Sequence, residues 1–179
     1  MTLRDSVIAT LTDWQAPDPG QDSVRHAVLA FVEARPDACR RDCTPGHVTA
    51  STLVVDDDGR VLLTLHPRIG RWVQLGGHCE DDENILAAAL REATEESGIA
   101  GLRMAPDLVA IHVHPVVCSL GVPTRHLDLQ FLAHAPAGAQ IAISDESVDL
   151  RWWPPDALPP DADDGLKYLV ARATQTSEE

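Results

Sequence analysis

At 179 residues and 44% apolar content, the chain suits one compact domain with a sizeable core, and the 4% aromatic share leaves that core mainly to Leu, Val, Ile and Ala. Twenty-eight acidic residues against fourteen basic ones give a formal net charge of -14, which opposes nonspecific binding to nucleic acids or anionic membranes, so a phosphate ligand would need local help such as bound cations. Met1 to Asp13 carries Arg4, Asp5 and Asp13 among its apolar residues rather than a signal-type stretch, and no run of about 20 apolar residues occurs, so neither export nor a membrane span is expected and the location expected is cytoplasmic.

Residues Leu3 to Leu11 and Ser23 to Ala34 read as two short helices flanking the turn-forming Ala16-Pro17-Asp18-Pro19-Gly20. Residues 1–40 are thus expected to be a helical extension packed on a single domain spanning 1–179. Two strand-like runs, Val48 to Val55 and Arg60 to Leu65, are joined by Asp56-Asp57-Asp58-Gly59, a hairpin signal. After a loop carrying Arg68, Gly70 and Arg71, the segment Trp72 to Gly77 leads into a helix over roughly Glu83 to Ser97, with Asp81 or Asp82 as N-cap and Gly98 as left-handed C-terminal cap. Strands fit Leu108 to His114, His126 to His134 and Leu150 to Trp153, and Ala162 to Ala173 fits a closing helix. The order β-β-α-β-β-β with flanking helices predicts an α/β fold with a mixed sheet covered on both faces. The four cysteines, Cys39, Cys43, Cys79 and Cys118, form no CxxC pair and read as free thiols; Pro45 and Gly46 break the helix that would bring Cys39, Cys43 and His47 to one metal.

On the central helix Glu92, Glu95 and Glu96 stand at i, i+3 and i+4, which gathers three carboxylates on one face, while Leu86, Ala89, Leu90 and Ala93 form the stripe expected to meet the core. Mutual repulsion makes such a trio costly without a counter-charge, which Arg91 supplies in part to Glu95. Taken alone the run would be a solvated charged face. In context, Gly77, five residues, Glu83, seven residues, then Arg91-Glu92-Ala93-Thr94-Glu95-Glu96-Ser97-Gly98-Ile99 matches every fixed position of the Nudix box, here residues 77–99.

The chain therefore resembles the Nudix (MutT-like) hydrolases, and the resemblance implies an αβα sandwich around a mixed sheet. It further implies that Glu92, Glu95 and Glu96, with the carbonyl of Gly76 or Gly77, bind Mg²⁺ or Mn²⁺, hard cations suited to oxygen donors. Glu83 and Arg91 would brace loop and helix. Glu146, six residues before Trp152, is a candidate further metal ligand. The implied reaction is attack of water on a phosphorus of a nucleoside diphosphate linked to another group, with Glu92 or Glu95 as base and Arg91 in support. Arg68, Arg71 and Arg125 are candidate phosphate contacts by charge. The expected partner is a small-molecule nucleoside diphosphate derivative; oligomeric state is left open, a homodimer being compatible.

Leu75 stands where many Nudix hydrolases have proline, no extended coenzyme A pyrophosphatase motif lies upstream, no tyrosine follows the box as in dinucleoside polyphosphate hydrolases, and Pro115 falls near a proline of ADP-ribose pyrophosphatases. Histidines are the other departure: His47 precedes a strand, His78 follows the double glycine, and His112 with His114, then His126 with Asp128, share strand faces by alternation. His47, His78, His126 and Asp128 are expected to converge in a second polar site suited to a transition metal, an idea that fails if those imidazoles lie more than about 7 Å apart. Gly46-His47 and Gly77-His78 also resemble positions of isopentenyl-diphosphate isomerases, which makes an isomerase the alternative enzyme class. That class needs a cysteine before its Gly-His and alters the Glu-Glu pair, which is intact here. A non-catalytic ligand-sensing Nudix domain is the third reading, and it normally tolerates loss of the box carboxylates.

Overall fold

The structure is a computed structural model that describes residues 1–117, 121–144 and 147–176. Its helices are α1 (Leu3–Asp13), α2 (Pro19–Ala34), α3 (Ile85–Ser97) and α4 (Asp164–Thr176); its strands are β1 (His47–Val55), β2 (Val61–His66), β3 (Arg71–Val73), β4 (Leu75–His78), β5 (Arg103–Met104), β6 (Ala110–Val117), β7 (Pro123–His134) and β8 (Asp149–Trp153). All eight strands join one mixed sheet. At its centre β1 pairs in parallel with β7 from His47 opposite His126 to Val55 opposite His134, and antiparallel with β4 and β2 along its other edge. A strand enclosed on both edges and both faces should be buried along its length, and β1 is buried from His47 to Val54.

Helices α1, α2 and α3 cover one face through Val7, Leu11, Val28, Val32, Ile85, Ala88 and Ala89 against Val48, Ala50 and Leu129. Helix α4 packs Leu166, Leu169, Val170 and Ala173 against Leu53, Leu63, Ala110 and Leu132 on the other. Residues of β1 thus alternate: Val48, Ala50 and Thr52 look toward α3, while His47, Thr49 and Ser51 look to the opposite side. The N-terminal helices share a core with the sheet and α3, and Thr2 and Asp18 cap them.

Several elements differ from expectation. Helix α3 begins two residues late, because Asn84, not Asp81 or Asp82, caps it by accepting the Ala87 N–H at 2.9 Å; Gly98 closes it with φ +67° as expected. Its buried stripe is Ile85, Ala88, Ala89, Glu92, Ala93 and Glu96, so Leu86 and Leu90 sit only partly buried at its margins and two carboxylates continue the apolar face. Strands β3, β4 and β5 are additions. Residues 71–78 form a ribbon interrupted at Gln74, whose first part pairs with β2 and whose second pairs with β1. No helix among the described residues is long and apolar enough to cross a membrane.

Candidate functional site

Strand β4 ends against the C-terminal half of α3, and its two glycines make that approach sterically feasible. Gly76 has φ +150°, and a Cβ there would lie 2.5 Å from Ser51 Cα and 2.6 Å from the Ala50 carbonyl oxygen. At Gly77 the obstacle is functional: a Cβ would stand 2.6 Å from a Glu92 carboxylate oxygen. The same ribbon anchors the next turn of the helix, since the Gly76 N–H donates to Glu96 Oε2 at 2.9 Å. Glu92 and Glu96 are buried, whereas the Glu95 side chain is 61% exposed.

Arg91 joins the loop to the helix. Its guanidinium donates to both oxygens of Asp82 at 3.0 and 3.1 Å, to the His78 carbonyl at 3.1 Å, to Glu92 Oε1 at 2.9 Å and to Glu95 Oε2 at 3.1 Å. These bonds, the one to Asp82 first, hold its proton well above the ordinary arginine range against the opposing effect of burial. Asp82 takes the bracing place expected of Glu83, which is exposed. The carboxylates under the glycine ribbon, with the Gly77 backbone against Glu92, form an oxygen-rich donor set that fits a hard divalent cation. Glu146 lies outside the described residues.

A second constellation occupies the opposite side of β1. His47 and His126 are register partners, His126 is also opposite His114 on β6, and His78 is opposite Thr49. Ring centroids of His47, His78 and His126 are 5.0–5.1 Å apart, and one ligand atom from each lies within 4.8 Å of the others. His114 continues the row 5.3 Å from His126, and His112 follows 5.0 Å from His114. Burial lowers the pKa of four of these imidazoles: His78 to about 3, aided by the Arg41 charge, His126 to about 4, aided by His114, and His47 and His114 below the ordinary range. Near neutral pH these four imidazoles are therefore uncharged.

Asp128 shares this face but is already engaged. Its oxygens accept from Thr49 at 2.9 Å, Ser51 at 2.7 Å, Gln130 at 3.1 Å and Gln74 at 3.3 Å, which places it beside the three-histidine group and outside it. Of the three arginines expected to contact phosphate, Arg68 lies in a turn, Arg71 is exposed on β3, and Arg125 on β7 donates to the Pro45 carbonyl at 3.2 Å. Sequence reasoning missed Arg41, which donates to His78 Nδ1 at 3.0 Å from a loop without a periodic signal. It also missed Gln130, which continues the alternation of His126 and Asp128 and was legible on that ground.

Fold and donor set together define a class: a Nudix-type α/β domain with its carboxylate helix under a glycine ribbon. The NUDIX domain family model matches residues 45–173, and the chain belongs to the Nudix, or MutT-like, hydrolase family. It is 40% identical over 62 residues to the m7GpppN-mRNA hydrolase NUDT17 of Danio rerio, covering 31% of this chain and 20% of that protein. With the uncharacterized Nudix hydrolase YvcI of Bacillus subtilis (strain 168) it shares 29% identity over 99 residues, 55% of this chain and 61% of the relative. The chain thus spans between a fifth and about three fifths of the length of these relatives. The crystal structure of a MutT NUDIX hydrolase from Burkholderia pseudomallei superposes with a TM-score of 0.55 at 27% identity, over 71% of this chain and 97% of that one.

Proposed function

We propose that the protein is a Nudix pyrophosphohydrolase that cleaves a phosphoanhydride bond in a nucleoside diphosphate linked to another moiety. The observation that carries this reading is the packing of Glu96 and Glu92 against the glycine ribbon, Glu96 tied to the Gly76 N–H and Glu92 against Gly77, with Glu95 held beside Glu92 by the Arg91 guanidinium. Glu92, Glu95, Glu96 and the Gly77 carbonyl would hold Mg²⁺ or Mn²⁺, and a bound ion would neutralise phosphate charge and lower the pKa of water. Arg91 orients Glu92 and Glu95 from one guanidinium, so the two carboxylates keep a fixed separation while a proton from the attacking water passes to one of them. The buried contact of Glu96 with the ribbon keeps the loop registered to the helix. Arg68, Arg71 and Arg125 are the cations proposed to meet the remaining phosphate charge.

The test is a substrate panel with Mg²⁺ or Mn²⁺: nucleoside diphosphate sugars, ADP-ribose, dinucleotides, nucleoside triphosphates and, because a relative is named for it, a capped dinucleotide. Release of a nucleoside monophosphate or diphosphate is expected for at least one member, and Glu95→Gln or Glu96→Gln should lower it by about two orders of magnitude or more while the melting temperature is kept. Normal turnover in both variants would move the chemistry elsewhere. Inertness across the panel would favour a ligand sensor, and rearrangement of isopentenyl diphosphate would favour an isomerase.

A further inference from the structure

We propose that His47, His78 and His126 form a binding site for a divalent transition metal, zinc by its donor chemistry, distinct from the carboxylate site on α3. Three points no more than 4.8 Å apart share a centre within about 2.8 Å of each, so reaching zinc–imidazole distances of about 2.0–2.1 Å asks each ring to move by less than about 1 Å. Convergence is imposed by the sheet: the three residues sit on β1, β4 and β7, with His47 and His126 in direct register.

The hydrogen bonding of His47 points into the group. Its Nδ1 lies 3.3 Å from the Cys43 carbonyl, an atom that only accepts, so Nδ1 carries the proton and Nε2 keeps its lone pair. His47 is 1% exposed, and that Nε2 has no hydrogen-bond partner. His126 Nε2 is likewise buried and unpartnered. Neighbouring histidines that merely bonded one another would have satisfied these atoms. A backbone carbonyl fixing the far nitrogen of a ligand imidazole is the support that metal-bound histidines usually receive.

An all-imidazole set selects zinc and its first-row neighbours over Mg²⁺, and three protein ligands leave a fourth position open. Asp128 is spoken for by four donors and is not the fourth ligand. Arg41 opposes the ion, since it sits on His78 Nδ1 as a cation, but it is exposed and on a turn from which it can withdraw.

The experiment uses the full chain stripped with chelator and reads binding without turnover, so its outcome is independent of the phosphoanhydride reading. Titration with Co²⁺ in excess Mg²⁺ should give the visible absorption of a tetrahedral nitrogen site at one equivalent, and Zn²⁺ should displace it. His78→Gln and His126→Asn should each weaken Zn²⁺ binding at least about 10-fold, Glu96→Gln should leave it unchanged, and Arg41→Ala should tighten it. Because buried His47→Ala can fail by unfolding, the half-buried His78 and His126 carry the test, each checked by its melting curve. Absence of the Co²⁺ spectrum, indifference to His78→Gln and His126→Asn, or loss in Glu96→Gln would overturn the proposal.

Discussion

The two glycines of β4 are adjacent but serve different ends, and substitution separates them. Gly76 holds a positive φ with backbone of β1 inside any Cβ it might carry, so Gly76→Ala should cost about 3 kcal/mol or more in urea unfolding. At Gly77 the neighbour is the end of the Glu92 side chain, which can swing aside. Gly77→Ala should therefore fold nearly as well as the parent yet lose about 100-fold in turnover, since a displacement on the order of 1 Å at a catalytic group is worth that much. Equal effects of the two substitutions on stability and rate would sink this division of roles. The carboxylates were legible in the sequence because i, i+3, i+4 spacing places them on one helical face whatever surrounds them. Their burial was not, since Glu92 and Glu96 are covered by Gly76 and Gly77, which contribute no hydrophobic pattern of their own.

At the scale of elements, the long periodic segments were readable and the short ones were not. Helix α3 and strands β1 and β7 carry enough apolar positions to declare their period, whereas β3 and β4 have three and four residues, and two of these are glycines that disfavour strands until β1 supplies a partner. The N-cap of α3 was misplaced because Asp81, Asp82 and Asn84 all suit a helix start; only tertiary structure shows that Asp82 is committed to Arg91. A similar contact across elements joins the start of α2 to α4. Asp18 caps α2 by accepting the Gln21 N–H at 2.9 Å and also accepts the Tyr168 hydroxyl at 2.6 Å, a bond that lowers the Asp18 pKa, while burial first and this bond second raise that of Tyr168 to about 12. Tyr168→Phe should lower stability by about 0.5–1.5 kcal/mol, and the same change should have much less effect in an Asp18→Ala background. Additive losses in chemical denaturation would show that the hydroxyl does not act through Asp18.

Across the whole molecule, a net charge of -14 surrounds a sheet face on which burial keeps His47, His78, His114 and His126 neutral, and this sets how the metal-free protein responds to acid. The charged groups facing the row are Asp128, which favours protonation of His126 and His114, Asp163, which favours it at His114, Arg41, which opposes it at His78 and His126, and Arg68, which opposes it at His78. Desolvation outweighs Asp128, so the folded pKa values, about 4 for His126 and about 3 for His78, lie below the ordinary 6.5 that the unfolded chain presents. On acidification the unfolded state therefore takes up protons first, and stability falls wherever it binds more of them. The histidine contribution should be fully present above about pH 6.5 and be lost as the pH falls through about 4 for His126 and about 3 for His78, a window whose upper part, above about pH 5, lies clear of ordinary carboxylate titration. Urea midpoints of chelator-treated protein between those limits should decline with falling pH, and the slope should be shallower in a His78→Gln, His126→Asn double variant. A flat profile in the parent would mean that these imidazoles titrate as they do in water, and an unchanged slope in the double variant would assign the acid sensitivity to other groups.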